Sequence, residues 1–291
     1  MISTTARRAL KAGVAILALA AAPAAFAQDV TTTEATQVPE NDDTLTIGVG
    51  GAYVPSYEGS DDYRFVPVAG FRGKVSGHNF YTRGTSVYFD LVPEKPGNNV
   101  DVSLGPVANV RFARTSRKAI KDDQVRALGK LDTAIEVGAF VGVGKTGVIT
   151  SDYDVLSFRF TYLRDVTDTH DSYIIQPSIE YGTPLSTSMY VGLGVSADYA
   201  GAGFARTYFG VTPAGSLASG LDVYDTNGGW KNVTGTAFAN YALSGDLRHG
   251  VSLIAAGGYT KLLGDFKDSP VVSEAGNSNT WFGALGIAYT F

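Results

Sequence analysis

Three histidines occur in the sequence, His78, His170 and His249, each in a glycine- or aspartate-rich stretch: SGHNF, DTHDS and LRHGV. The run Asp168-Thr169-His170-Asp171 has the residue types for acid–base chemistry or metal ligation. A metal centre needs three or four ligands that converge, and no recognised spacing supplies them; a solvated loop is expected. Glu58, Asp61 and Asp62 in SYEGSDDY are donors suited to a hard cation, but such a site wants six or more oxygens, so these too are read as loop carboxylates. GVGKTGVIT (142–150) contains Gly-Lys-Thr, but not the four-residue spacing from a preceding glycine that a phosphate loop requires. No Ser–His or Asp–His pair can be shown adjacent. The chain has no cysteine, which excludes disulfides and thiolate metal sites. The expectation is no catalytic residue, no metal site and no cofactor.

Other polar residues are more informative because of what alternates with them. In NVDVSLGPVANVRFAR (99–114), Val100, Val102, Leu104, Pro106, Ala108, Val110 and Phe112 interleave with Asp101, Ser103, Gly105, Asn109 and Arg111. That is a strand with one apolar and one polar face. VLSFRFTYLR (155–164) sets Phe158, Phe160 and Tyr162 against Arg159; SYIIQPSIEYG (172–182) sets Ile175, Ile179 and Tyr181 against Gln176 and Glu180. SMYVGLGVSADYA (188–200) places Asp198 on its small face. Further candidates are 44–54, 64–75, 79–91, 131–143, 234–245, 250–261 and the closing WFGALGIAYTF (281–291). Pro106 and Pro177 lie within two of these strands and mark local weakening or bulges.

The N-terminus bears on what the apolar faces touch. Arg7, Arg8 and Lys11 precede the short apolar run 12–22 and Ala25-Phe26-Ala27, the pattern of a signal peptide (1–27) cleaved after Ala27. Residues 28–43 are polar, Thr- and Glu-rich and aperiodic, and are expected to be a disordered periplasmic lead-in. The signal holds three of the 23 basic residues and none of the 28 acidic ones, which leaves a mature charge of −8; no basic patch invites nucleic acid. No later apolar run is long enough for a membrane helix. The strands, at ten or more residues, exceed the usual five or six of globular sheets and match a tilted membrane strand. Aromatic residues recur near strand ends: Tyr53, Phe112, Tyr162, Tyr181, Tyr199, Tyr241, Tyr259 and Tyr289. Together these predict an all-β fold over 44–291, a transmembrane antiparallel β-barrel with its apolar face on outer-membrane lipid; a secreted sandwich is the alternative. Eleven strands are countable, and bacterial barrels have even numbers. Gly77 and Gly84 could split off an extra short strand, as could 206–211, so about 12 strands are expected, with 10 as the fallback.

Four stretches carry a family resemblance: VPSYEGSDDYRFVPV (54–68), YFGVTPAGSLASGL (208–221), KLLGDFKDSPVV (261–272) and GIAYTF (286–291). In that order the chain resembles the MipA/OmpV family of outer-membrane proteins over nearly its whole mature length. The resemblance implies a non-enzymatic scaffold in the cell envelope, with a lytic murein transglycosylase and a murein (peptidoglycan) synthase as partners; some members are discussed as surface adhesins. It supplies no catalytic residues. It also implies that Tyr289 and Phe291 form the C-terminal signal read by the barrel-assembly machinery.

Read as residues, those motifs are structural first. Tyr208 and Phe209 supply bulk, Gly210 a bend, and Pro213 a stiff start to a short helical turn. Gly264 permits a turn, and Asp265 or Asp268 can bond nearby backbone; Ser269 and Pro270 complete that motif. The long connection 201–233 could fold into the lumen or cap it, and its partner contacts are the second reading. The charge-rich stretch 118–132 suggests a surface loop or small helix, and Arg114, Arg117, Lys118 and Lys121 could meet lipopolysaccharide phosphates. Two further functions stay open. The inward polar residues Asp101, Arg111, Arg159, Gln176, Glu180 and Asp198 could line a small-solute channel or pair with one another and fill the lumen. A barrel hydrolase comes last.

Overall fold

The computed structural model describes residues 43–94 and 99–291; the signal peptide and nearly all of the lead-in lie outside them. Twelve strands close into one antiparallel barrel, each bonded to its sequence neighbours and the first to the last. They are β1 (Thr44–Pro55), β2 (Tyr63–Val75), β3 (His78–Arg83), β4 (Ser86–Phe89), β5 (Val100–Arg111), β6 (Ala134–Thr146), β7 (Val155–Asp165), β8 (Tyr173–Ser186), β9 (Met189–Ala200), β10 (Gly229–Ala242), β11 (Gly250–Leu262) and β12 (Asn279–Thr290). The expected count of twelve holds because Gly84, at φ 55°, breaks the stretch 79–91 into β3 and β4. The other candidate for an extra strand, 206–211, falls mostly in a helix.

Period two sets the orientation. Ile47, Val49, Phe158, Leu193, Leu285 and Ile287 face outward and are exposed, which in a closed barrel means they meet lipid. Rings gather at both ends of this apolar belt. At one end Tyr53 stacks on Tyr63 at 5.2 Å, Tyr173 lies between Tyr162 and Tyr199, Tyr199 meets Trp230, and Tyr259 meets Trp281 at 4.7 Å. At the other end Phe71 meets Phe80, and Tyr289 packs on Phe291 at 4.7 Å. Two aromatic girdles around an apolar band are what the membrane interfaces favour.

The two ends differ. At the end shared by the start of β1 and the finish of β12, most connections are short turns. The opposite end carries the long loops and five helices: α1 (Asp123–Ala127), α2 (Ala202–Phe209), α3 (Pro213–Ser219), α4 (Gly264–Asp268) and α5 (Pro270–Ser273). The main hydrophobic clusters sit there, in the mouth. One joins Phe204, Tyr208 and Phe209 of α2 to Phe266, Val272, Ile174 and Leu262; the other joins Tyr57, Ile120, Val125, Val211, Leu221 and Val271. The 201–233 connection therefore folds inward as a plug. Both prolines act locally. β4–β5 pairing ends at Val107, beside Pro106, and the β8–β9 ladder skips Gln176 and Pro177 without changing register.

Candidate functional site

Beneath the plug the lumen holds a buried charge network. Arg111, at the end of β5, gives Nε to Glu136 Oε1 at 2.8 Å and Nη1 to Glu58 Oε1 at 3.0 Å. Glu136 also accepts from Asn109 at 2.7 Å and lies 3.0 Å from Nε2 of His170. Lys231 puts its ammonium 3.0 Å from Glu58 and 3.1 Å from Asp198, and Asp198 accepts from Gln176 and Asn232. Arg111 and Lys231 both lie over the Phe204 ring, at 4.9 and 5.0 Å, so the network and α2 hold each other. In water such pairs contribute little, but inside a barrel each charge needs its partner.

A second set lies on the β3–β8 side of the lumen. Glu180 accepts from Arg83 and has Arg159 at 3.8 Å; Arg159 also faces the rings of Tyr81, Tyr88 and Phe140. Of the inward polar residues expected from the sequence, Arg111, Arg159, Gln176, Glu180 and Asp198 are thus held by other lumen side chains rather than left to line an open path at this level.

Two carboxylate and histidine readings are overturned. His170 was expected in a solvated loop but is buried, 4 % exposed, against Phe204 and Tyr208 as well as Glu136. Glu58 was expected to be a loop carboxylate and instead joins Arg111 to Lys231. Both stand in locally polar sequence, and the plug that covers them comes from residues more than 30 positions away. Arg114 likewise is buried and donates to the Tyr208 carbonyl at 3.2 Å; it does not face lipid phosphates. Burial away from any carboxylate pulls its guanidinium down to about 10. Among the described residues no group of three or more His, Asp or Glu is placed to hold a metal.

The motif residues meet one another in the plug. Tyr208 and Phe209 lie on α2, Gly210 is its C-cap, and Pro213 opens α3. Gly264, at φ 50°, starts α4. Ser269 is fully buried, donates Oγ to the Phe209 carbonyl at 2.6 Å and caps α5 at Val271, with Pro270 in the first position. Phe209 and Phe266 pack edge to face at 5.1 Å. Asp265 accepts the Tyr224 hydroxyl at its carbonyl and the Asn227 amide at its carboxylate, while the Asp268 carboxylate comes within 3.9 Å of Lys267. Tyr289 and Phe291 lie at the turn end, facing outward.

The family model for MltA-interacting protein MipA matches residues 47–291. The chain belongs to the MipA family. The match spans all but the first three residues of the barrel and takes in both plug motifs, and the molecule is an outer-membrane β-barrel. No curated protein matches this chain. Among solved structures, the KdgM porin superposes with a TM-score of 0.38 at 10% identity, covering 84% of this chain and 99% of the porin. An outer-membrane channel from Pseudomonas putida F1 gives 0.47 at 11%, covering 90% and 100%. The channel DcaP of Acinetobacter baumannii gives 0.33 at 10%, covering 86% and 96%. Likeness at this level says nothing of what this MipA-family barrel binds or passes.

Proposed function

We propose that this barrel is a non-enzymatic outer-membrane scaffold for murein-remodelling enzymes, a lytic transglycosylase and a murein synthase among them. The family's description as transglycosylase-interacting supports the partner class. The observation that carries the reading is the paired lumen: Arg111, Lys231, Glu58, Glu136 and Asp198 hold one another under a packed plug, which favours a rigid platform over a solute path.

Orientation then decides which surface meets murein. Bacterial barrels keep short turns on the periplasmic side and long loops outside, so the turn end faces the periplasm and the plug faces out. The partner surface belongs to the turns, chiefly 147–154 and 243–249, and not to the plug motifs. The 147–154 turn is firmly built: Asp154 accepts from the amides of Val148 and Ile149 at 2.6 and 2.9 Å and from the Tyr181 hydroxyl at 2.8 Å. The test is affinity capture of the tagged barrel from its own envelope in mild detergent, followed by mass spectrometry. Recovery of a murein enzyme that is lost when 147–153 is replaced, and kept when 213–221 is replaced, is the expected result. Recovery of the barrel alone would overturn the scaffold, and loss only with 213–221 would overturn the orientation.

A further inference from the structure

Nearer the turn end than the Arg111–Lys231 network, the β10–β2 side of the lumen keeps a cavity of about 130 Å³. Its bulky walls are Val68 of β2, Phe238 of β10 and Ile254 of β11, and Phe238 and Ile254 pack in one cluster. Between them in the sheet stand the small Gly48 of β1 with Ala284 and Ala288 of β12. An apolar cavity of about 150 Å³ takes benzene, so the space here suits one ring and not a long chain.

Few polar side chains reach this lining, and nearly all are committed. Thr46 and Thr290 bond each other at 2.9 Å, Thr82 is taken by the Phe71 backbone, and Arg72 is engaged by other groups. Asn240 differs. Its side-chain oxygen is buried and finds no donor among the described residues, alone among the polar side-chain atoms of this lining. A buried acceptor left unmade costs stability, and one that persists calls for an occupant. An ordered water needs about two to four polar partners, and this lining offers one uncommitted acceptor. A hydroxyl carried on an apolar ring needs only one acceptor for its proton, and the ring covers the rest of the wall.

We propose that this cavity binds a small uncharged aromatic alcohol, a phenol. The ring packs on Phe238, Ile254 and Val68, and the hydroxyl donates to Asn240 Oδ1. The donor sets the selectivity, because a site built to hydrogen-bond a hydroxyl rejects the analogue that lacks it.

The test titrates 4-fluorophenol into the folded mature barrel in lipid nanodiscs and follows its fluorine NMR signal, with empty nanodiscs as the reference for partitioning into lipid. Saturable binding is expected, with 4-fluorotoluene, the same shape without the donor, weaker by roughly fivefold or more. Asn240→Leu keeps the bulk and removes the acceptor; it should weaken the phenol roughly five- to tenfold and leave the toluene within about twofold. Gly48→Leu grows from a position where an added Cβ meets nothing closer than 3.4 Å. It should fill the cavity and weaken both probes about tenfold or more; Gly48→Val serves if the leucine variant does not fold. These variants lie in β1 and β10, and Leu247, which borders the cavity from the 243–249 turn, stays unaltered, so a failure here leaves the capture test of the scaffold unaffected. No saturable binding beyond empty nanodiscs by a folded wild type, or wild-type binding by the folded Gly48 variants, overturns the site. Equal affinity for phenol and toluene, or no selective loss in Asn240→Leu, overturns the role of the hydroxyl. Tighter binding of 4-fluorobenzoate than of the phenol overturns the uncharged class.

Discussion

Replacing Lys231 by methionine keeps the stem and removes the ammonium that Glu58 and Asp198 share at 3.0 and 3.1 Å. At an effective dielectric constant of about 20, each contact is worth roughly 5 kcal/mol before desolvation. Burying the ions takes back several kcal/mol apiece, so the intact set contributes little net. Removing one member is different, because the carboxylates stay buried. Glu58 keeps Arg111, and Asp198 keeps the amides of Gln176 and Asn232 with Arg111 as a more distant cation. The expected loss is about 3–5 kcal/mol, with the plug loosened as Lys231 leaves the Phe204 ring. The assay is urea unfolding in a neutral detergent, followed by intrinsic fluorescence, with limited trypsinolysis at Arg206 as a readout of the plug. Adding Asp198→Asn removes the stranded charge and should restore at least about 1 kcal/mol, a coupling of the size neighbouring groups show. A Lys231→Met barrel within about 1 kcal/mol of wild type, with no gain from Asp198→Asn, would refute the claim that these charges depend on one another.

Three further outcomes follow from the same geometry. Ser269→Ala leaves the buried Phe209 carbonyl without its donor and α5 without its cap, at about 1–3 kcal/mol; faster amide exchange confined to 203–226 and 264–275 checks it. Gly138→Ala drives a Cβ to within 1.7 Å of the Tyr162 carbonyl oxygen, whereas at Gly235 nothing lies within 4 Å, so the first should abolish the heat-modifiable folded band on gels and the second should not. Backbone amides and the Tyr181 hydroxyl hold the Asp154 carboxyl well below its usual range. That stability is present above pH about 4 and is lost as pH falls through the depressed value, so proteolysis in the 147–154 turn should rise on acidification, and Asp154→Asn should show the raised rate at neutral pH.

The strands were legible because period two survives in sequence: the apolar positions of β5 and β7–β9 read directly as the lipid face. The twelfth strand was legible only as a glycine break, since β4 has four residues and no periodicity of its own. The charge network was half legible. Arg111, Gln176, Glu180 and Asp198 alternate with apolar neighbours, but Lys231 follows the outward Trp230 and precedes the inward Asn232, both inside the register shift of β10. That bulge turns two successive side chains inward, and no alternation rule reveals it. Partners are equally hidden, for Arg83 and Glu180 stand 97 residues apart. The plug motifs were seen as turns, and Tyr208–Pro213 and Gly264–Pro270 do bend the chain, but their contact through Ser269 and Phe209 is tertiary.

The division of the lumen follows from these constraints taken together. A twelve-stranded wall encloses more space than inward side chains of ordinary size fill, and water or packing must occupy the rest. On the β3–β8 side Arg83, Arg159, Tyr81, Tyr88 and Phe140 fill it, all large. On the β10–β2 side Gly48, Gly50, Gly70, Ala284, Gly286 and Ala288 are small, beside the larger Val68, Phe238 and Ile254. Close strand approach explains two of these, since an added Cβ at Gly50 or Gly286 would strike backbone across the pair. It does not explain Gly48, where an added Cβ meets nothing closer than 3.4 Å, so a larger side chain there would bury apolar area and stabilise the barrel.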